Sequence, residues 1–323
     1  MSPSQAPVVT VIVPGFDVAD YADDALDSLR AQTRDDWVAV LVDDASTDET
    51  GRIFDDAAAA DARFRVVHHS TRVGLGAARN TGLDLVETPF VAFLDADDRL
   101  APAALDRLVG TVTASGSDFA VGAYVRLRPD AGGGYTAGVV QPWVAASTDP
   151  ARTATSLELH PEASGNIVAW SKVSRTGLWQ RTGLRFPVGK AYEDQIVAQQ
   201  MYTLARAFDV IPDVVVEWRE RADGSSITQH KDELPVLEDY LEALAGGIAI
   251  LDTAGYPAAA AARVRLILAM DLPPLIAIAR DHPDDAYRRA IGAFARELWA
   301  RADKPPAVLD EATLNALAAA RLW

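Results

Sequence analysis

There is no cysteine among the 323 residues. Disulfides, thiolate zinc sites and cysteine nucleophiles are excluded together, and the usage fits a reducing compartment. Long hydrophobic runs are missing as well. The stretch from Val8 to Pro14 is strand-sized, and nothing approaches the ~20 apolar residues of a membrane span. No basic segment precedes an apolar run near the N-terminus, so no secretory signal is read. These absences lead us to expect a cytoplasmic protein, with any membrane contact peripheral and at the inner face. Basic residues are outnumbered: 30 Lys and Arg stand against 46 Asp and Glu, a net charge of −16. Such a surface has no general attraction for a phosphate backbone, which argues against a nucleic-acid partner. A nucleotide held through a bound cation stays compatible, because the cation reverses the local field. Also missing are a G-x-x-x-x-G-K-[ST] phosphate loop, a G-x-S-x-G elbow and an H-E-x-x-H pair, and the five histidines form no zinc pattern.

What is present is a regular alternation. Val8 to Val13, Trp37 to Val42, Phe64 to His68, Pro89 to Leu94 and Phe119 to Leu127 are short apolar, β-branched runs. Between them lie segments of helical spacing at 20–32, from Ser46 to Asp61, from Gly74 to Val86 and from Pro102 to Thr113, with Ser46 and Glu49 spaced as a capping box. Buried strands alternating with helices predict an α/β fold with a mostly parallel sheet covered on both faces. Residues 128–165 read as irregular. Helices are expected over Val173 to Gln180 and from Glu193 to Ala205, with a strand over Val210 to Trp218. From about Glu233 to Trp323 the chain is rich in Ala and Leu, with helical periodicity broken at Pro257, Pro273-Pro274, Pro283 and Pro305-Pro306. This predicts four or five helices, and hence two units: a catalytic α/β domain over 1–230 and an all-α module over 231–323. The module is read as structural, with homo-oligomerisation through its helices as a second role.

Ligands of open α/β sheets bind beyond the carboxyl ends of the strands. Acids cluster at two such ends. The first is Phe93-Leu94-Asp95-Ala96-Asp97-Asp98, where an apolar strand delivers Asp95 and Asp97 to the ligand edge. Hard oxygen ligands suit Mn²⁺ or Mg²⁺, which bridge carboxylates to diphosphate oxygens. Read alone, this pattern is equally an acidic turn capping the next helix. The second is Val42-Asp43-Asp44-Ala45-Ser46-Thr47-Asp48, where a carboxylate accepts hydrogen bonds from a base edge or ribose, or the loop caps its helix. Gly74-Leu75-Gly76 lacks the third glycine of a dinucleotide fingerprint, Arg79 standing in its place, so that reading is rejected. Glu193-Asp194 opens a helix and offers a general base. Arg219, Arg221 and Ser226 lie in a polar Gly/Ser segment that reads as a mobile loop over phosphates.

Taken in order over roughly residues 8–230, these segments resemble glycosyltransferase family 2, the GT-A fold enzymes. The resemblance rests on Val11-Ile12-Val13-Pro14, on Val42 to Asp48, on Ala78-Arg79-Asn80, on Phe93 to Asp98 and on Glu193-Asp194. It implies a donor site in which Pro14 and Asp44 contact the base and Arg79 lies near the uracil or diphosphate. It implies Asp95 on the ribose and Asp97 on the metal, both near the ion. It further implies Asp194 as catalytic base, with Glu193 supporting the acceptor. The activity implied is inverting, metal-dependent transfer of a hexose or N-acetylhexosamine from a nucleotide sugar, UDP-linked, to a carbohydrate or polyol-phosphate hydroxyl. Two departures stand out: Gly15-Phe16-Asp17 replaces the usual Thr-Tyr-Asn, and Ala45 stands where Gly is usual. The helical tail resembles that of enzymes that glycosylate cell-wall teichoic acids. Two other classes are weighed against this one. A nucleotidyltransferase would also use carboxylate-held metal but lacks its basic phosphate loop here. A non-catalytic polymer-binding scaffold would have no reason to keep Asp95, Asp97 and Asp194.

Overall fold

The computed structural model describes residues 6–222, 224, 231–302 and 309–323. The elements in chain order are β1 (Val9–Gly15), α1 (Ala19–Arg30), β2 (Trp37–Asp43), α2 (Thr50–Ala60), β3 (Phe64–His68), α3 (Leu75–Leu83), β4 (Phe90–Phe93), β5 (Arg99–Leu100) and α4 (Ala104–Ser115). They continue with β6 (Phe119–Pro129), β7 (Tyr135–Ala137), α5 (Pro142–Thr148), β8 (Arg152–Thr155), β9 (Lys172–Arg175), α6 (Thr176–Thr182), α7 (Glu193–Leu204) and β10 (Phe208–Arg219). The C-terminal helices are α8 (Leu234–Thr253), α9 (Pro257–Leu266), α10 (Leu272–Asp281), α11 (Asp285–Arg301) and α12 (Glu311–Ala320).

The sheet runs β3-β2-β1-β4-β9-β6-β10-β5, with β7 on β6 and β8 on β10. Its first four strands are parallel, as the continuous apolar runs require. The sheet as a whole is mixed rather than mostly parallel, because β9 enters antiparallel to both β4 and β6. The segment expected as helix from Val173 thus begins as strand, and the helix is displaced to Thr176. β9 carries no apolar run that would announce it; Lys172 and Ser174 are buried polar residues. Helix α3 lies against β1 and β2, and α4 against β6, β9 and β10.

Three further expectations are corrected. Helix α2 starts at Thr50, not after Ser46. The Ser46 hydroxyl instead accepts the Asp17 N–H from the neighbouring loop at 3.1 Å, and Asp48 takes the Thr50 N–H at 2.9 Å. The region 128–165 holds β7, α5, β8 and a 3-10 turn at Pro161–Gly165. Pro273-Pro274 does not interrupt the chain's helical path. A π-helical turn at Ile267–Asp271 joins α9 to α10, and a wide turn absorbs carbonyls that a proline cannot serve. The C-terminal helices pack on α7 and on the 3-10 turn. Leu237, Leu244, Leu268, Leu275 and Leu298 belong to the same hydrophobic cluster as the sheet.

Candidate active site

The carboxyl ends of β1, β2 and β4 lie side by side, and the loops leaving them are tied together. Asp17 Oδ1 accepts the Thr47 N–H at 2.7 Å, and Ala96 N–H donates to Pro14 O at 3.3 Å. Three non-glycine residues take left-handed backbone here: Asp17 at φ 47°, Ala45 at 62° and, across the cleft, Tyr192 at 59°. The Asp44 carboxylate is nearly saturated by its own protein. Oδ1 meets His69 Nδ1 at 2.7 Å and the Val73 N–H at 3.0 Å, and Oδ2 takes the Gly74 N–H at 2.7 Å. It therefore fixes the approach to α3 as well as facing the cleft.

Arg79 on α3 is almost fully buried and bridges two distant carboxylates. Its Nη2 donates to Asp95 Oδ1 at 2.6 Å, and its Nη1 donates to Glu193 Oε1. Burial opposes the guanidinium charge, but Asp95, Glu193 and Asp194 together hold its pKa above the ordinary value. The same burial pushes Glu193 up to about 7, with Arg79 opposing and Asp194 reinforcing. Asp194, half-buried at the first turn of α7, is raised by burial and by Asp95. Arg79, Lys172 and the Ala169 N–H work against that rise.

Close packing holds this arrangement. A Cβ on Gly76 would stand 2.1 Å from the Pro187 carbonyl oxygen and 3.1 Å from Glu193 Cγ. Gly76→Ala is expected to push α3 off the 187 segment at a cost of about 1–3 kcal/mol. A lowered melting temperature and reduced turnover would show it, and a variant matching the parent in both would refute the contact.

Asp97 and its neighbours divide the work at the turn after β4. Asp97 Oδ2 accepts from Arg221 Nε at 2.8 Å. Burial and the adjacent Asp95 raise its pKa, while Arg221 pulls it down. Asp98 is buried, takes the Arg219 N–H at 2.7 Å, and is held well above the carboxylate range by burial and by Asp97 and Asp95. Arg219, expected over the phosphates, lies behind the turn and does not line the cleft. Its Nε donates to Asp97 O at 2.6 Å and its Nη2 to Asp24 Oδ2 at 2.5 Å. Ser226 lies outside the described residues. Among the described residues no three His, Cys, Asp or Glu converge on a metal cage. Asp95 and Asp97 form a two-carboxylate set, which fits a Mg²⁺- or Mn²⁺-type ion whose remaining ligands are phosphate and water.

These groups open into one cleft of about 750 Å³. One half is walled by Pro14, Phe16, Asp44, Arg72, Asp95 and Asp97, the other by Tyr124, Trp143, Trp170 and Trp218. The C-terminal helices and the residue before them add Lys231, Tyr240, Arg263 and Asp271 to that second wall. Arg263 Nη2 donates to Gln195 Oε1 at 3.2 Å and its Nη1 lies 3.4 Å from Asp271 Oδ2, while Tyr240 donates to Asp271 Oδ1 at 2.7 Å. Sequence reasoning missed this half.

Residues 10–149 match the model of glycosyl transferase family 2. The chain is 29% identical over 251 residues to glycosyltransferase GlyA of Streptococcus pneumoniae serotype 4, a match covering 77% of this chain and 35% of that protein. It is 38% identical over 93 residues to the putative teichuronic acid biosynthesis glycosyltransferase TuaG of Bacillus subtilis strain 168, covering 29% of this chain and 37% of TuaG. The chain thus spans about a third of the length of these curated relatives. In fold it resembles residues 1–349 of S. aureus TarS, solved with UDP-GlcNAc, at a TM-score of 0.72 and 19% identity, covering 91% of this chain and 84% of that one. Over residues 10–149, then, the chain is similar to glycosyl transferase family 2, and its fold resembles that of the TarS fragment.

Proposed function

We propose that this protein transfers a sugar from a nucleoside-diphosphate sugar, UDP-linked, to an acceptor hydroxyl with inversion at the anomeric carbon. The observation that carries the reading is Arg79, which ties Asp95 at the donor end to Glu193, the residue before Asp194, within one cleft. Asp194 takes the proton from the acceptor hydroxyl, and its raised pKa brings it towards the range where a base works at neutral pH. A single displacement sets the attacking oxygen opposite the departing diphosphate, which needs base and anion site on opposite sides of the sugar. Asp97, with Asp95, is the seat of Mn²⁺ or Mg²⁺. Such an ion, when bound, supplies positive charge to the leaving diphosphate. Arg221 stands beside Asp97, and its guanidinium adds to that charge.

The second half of the cleft takes the acceptor. Aromatic faces suit the apolar faces of sugar rings, and Lys231, Arg126 and Arg263 suit a phosphate or carboxylate on a carbohydrate or polyol-phosphate chain. TuaG's role in teichuronic acid biosynthesis supports a cell-wall polymer as that acceptor. No described helix is long and apolar enough to cross a membrane. Within this reading catalysis takes place on the cytoplasmic side, with the growing polymer presented at the inner membrane face.

A panel of UDP-sugars with Mn²⁺, followed by release of the nucleoside diphosphate, tests the reaction. Absence of both transfer and slow donor hydrolysis for every sugar would overturn it. Asp97→Asn is expected to weaken Mn²⁺-dependent donor binding by about tenfold or more, since even outer partners of a metal contribute that much. Unchanged donor affinity by calorimetry would remove Asp97 from the metal site.

A further inference from the structure

Lys172 is the first residue of β9 and is 2% exposed. Its ammonium donates to three oxygens: Asn166 O at 3.0 Å, Asn166 Oδ1 at 2.7 Å and Val168 O at 2.6 Å. Three acceptors consume all three protons, so the geometry calls for the charged form. Burial pulls in the other direction, to a pKa of about 7, and Asp194 opposes that fall. Among the described residues no carboxylate stands within ion-pair distance of Lys172, so a charge has been buried without a contacting counter-ion. Burying an ion this way is costly, and here the three acceptor oxygens offset the lost hydration.

What it holds is the segment 166–170. Ile167, Val168 and Trp170 line the cleft. Between them the Ala169 N–H meets the Asp194 carboxylate. Asn166 is fixed in turn by the Ser171 hydroxyl, which donates to its Oδ1 at 3.0 Å. The ring of Tyr202, on the same helix as Asp194, lies 5.5 Å from the ammonium. Lys172 therefore reaches Asp194 in two ways: through the Ala169 amide that it keeps in register, and as a positive charge facing the carboxylate.

We propose that Lys172 is a positioning residue for the base: it staples segment 166–170 so that the Ala169 N–H and one fixed positive charge stay directed at Asp194. The inference rests on the assignment of Asp194 made above. The other groups facing Asp194 are Arg79 on α3, Asp95 after β4, and Tyr192 and Glu193 beside it. Lys172 is the cation supplied by β9, from the acceptor side of the cleft.

Lys172→Met and Lys172→Arg test this in the full chain, with a UDP-sugar, Mn²⁺ and the acceptor found by the panel. Lys172→Met is expected to lower kcat about tenfold or more, equivalent to about 1.4 kcal/mol of barrier, with donor KM within about twofold. Its acid limb in kcat/KM should move up by about half a pH unit or more, because a charge that favours the carboxylate is gone. Lys172→Arg restores the charge and should return that limb towards the parent position. A Lys172→Met enzyme with parental kcat, an unmoved limb, or donor affinity lost in proportion to kcat overturns the proposal. Should Lys172→Met fail to fold, Asn166→Ala carries the test. It keeps the ammonium but removes one anchor, so kcat should fall and the limb should move up by less than in Lys172→Met, and parental kcat would refute the staple. Asp194→Asn is run alongside: if it keeps full turnover, the assignment of the base has failed, whatever Lys172 does.

Discussion

Asp194→Asn is expected to cut turnover by about 10²–10⁴-fold, the usual contribution of a positioned general base. Donor binding should survive, because the change leaves the residues assigned to the donor and the ion, Asp44, Asp95 and Asp97, in place. The amide keeps the size of the carboxylate and can still accept from the Ala169 N–H, so the fold should persist. Two measurements separate chemistry from folding: single-turnover transfer, and thermal shift with UDP-sugar and Mn²⁺. Retained stabilisation by donor with lost transfer is the expected pair. Parental turnover would show that another group takes the proton, and Glu193 would be next in line.

Replacing Arg79 should be more damaging to the molecule as a whole. Arg79→Met leaves Asp95 and Glu193 facing one another in a buried site, with Asp194 nearby. Removing one partner of a buried charge cluster costs about 3–5 kcal/mol, because the remaining charges are left uncompensated. Arg79→Lys should recover only part of this, since a point ammonium cannot fork to two carboxylates. The loss should depend on pH. Glu193 has its folded pKa raised to about 7 even with Arg79 present. Without Arg79 that value rises further above the unfolded one. An acid with a raised folded pKa carries its penalty above that pKa and sheds it as the proton binds. The melting-temperature deficit of Arg79→Met should therefore be larger at pH 8 than at pH 5.5. Equal deficits at the two values would mean that the ion cluster is not what the arginine stabilises.

The parallel half of the sheet was legible because its strands are continuous apolar runs, and the ligand edge followed from where those runs end. Asp44, Arg79, Asp95, Asp97 and Asp194 were legible only as separate points, which the structure places along one cleft. That Arg79 joins Asp95 to Glu193 was not, since these lie 16 and 114 residues away from it. β9 escaped because four residues with two buried polar side chains carry no periodicity, although that strand is what sets β6 and β10 beside the parallel half. Ser46 misled for a physical reason. A hydroxyl three residues before a glutamate has the spacing of a cap, but a stronger claim on it comes from the Asp17 amide of another loop. Arg219 was read by its charge as a phosphate ligand, whereas its backbone and side chain both brace the Asp97-Asp98 turn from behind. The acceptor half was out of reach altogether. Tyr240, Arg263 and Asp271 lie in Ala- and Leu-rich helices, and only long-range packing aims them at Gln195 and the cleft.

Asp17, Ala45 and Tyr192 hold left-handed backbone around the cleft. For residues bearing a Cβ this costs about 1–2 kcal/mol each, least for Asp17, whose carboxylate bonds locally to Thr47. Selection for heat resistance and selection for turnover would therefore pull in opposite directions at these three positions. A lineage moving to a warmer habitat could relax Ala45 to glycine, at the expense of a stiffer chain beside Asp44. Relaxing Tyr192 is harder, because its ring rests against Tyr240 at 4.3 Å and its backbone sets the entry angle of the helix that starts with Glu193 and Asp194. The rim of the cleft, rather than its floor, is where thermal adaptation and catalytic fitness would compete in this fold.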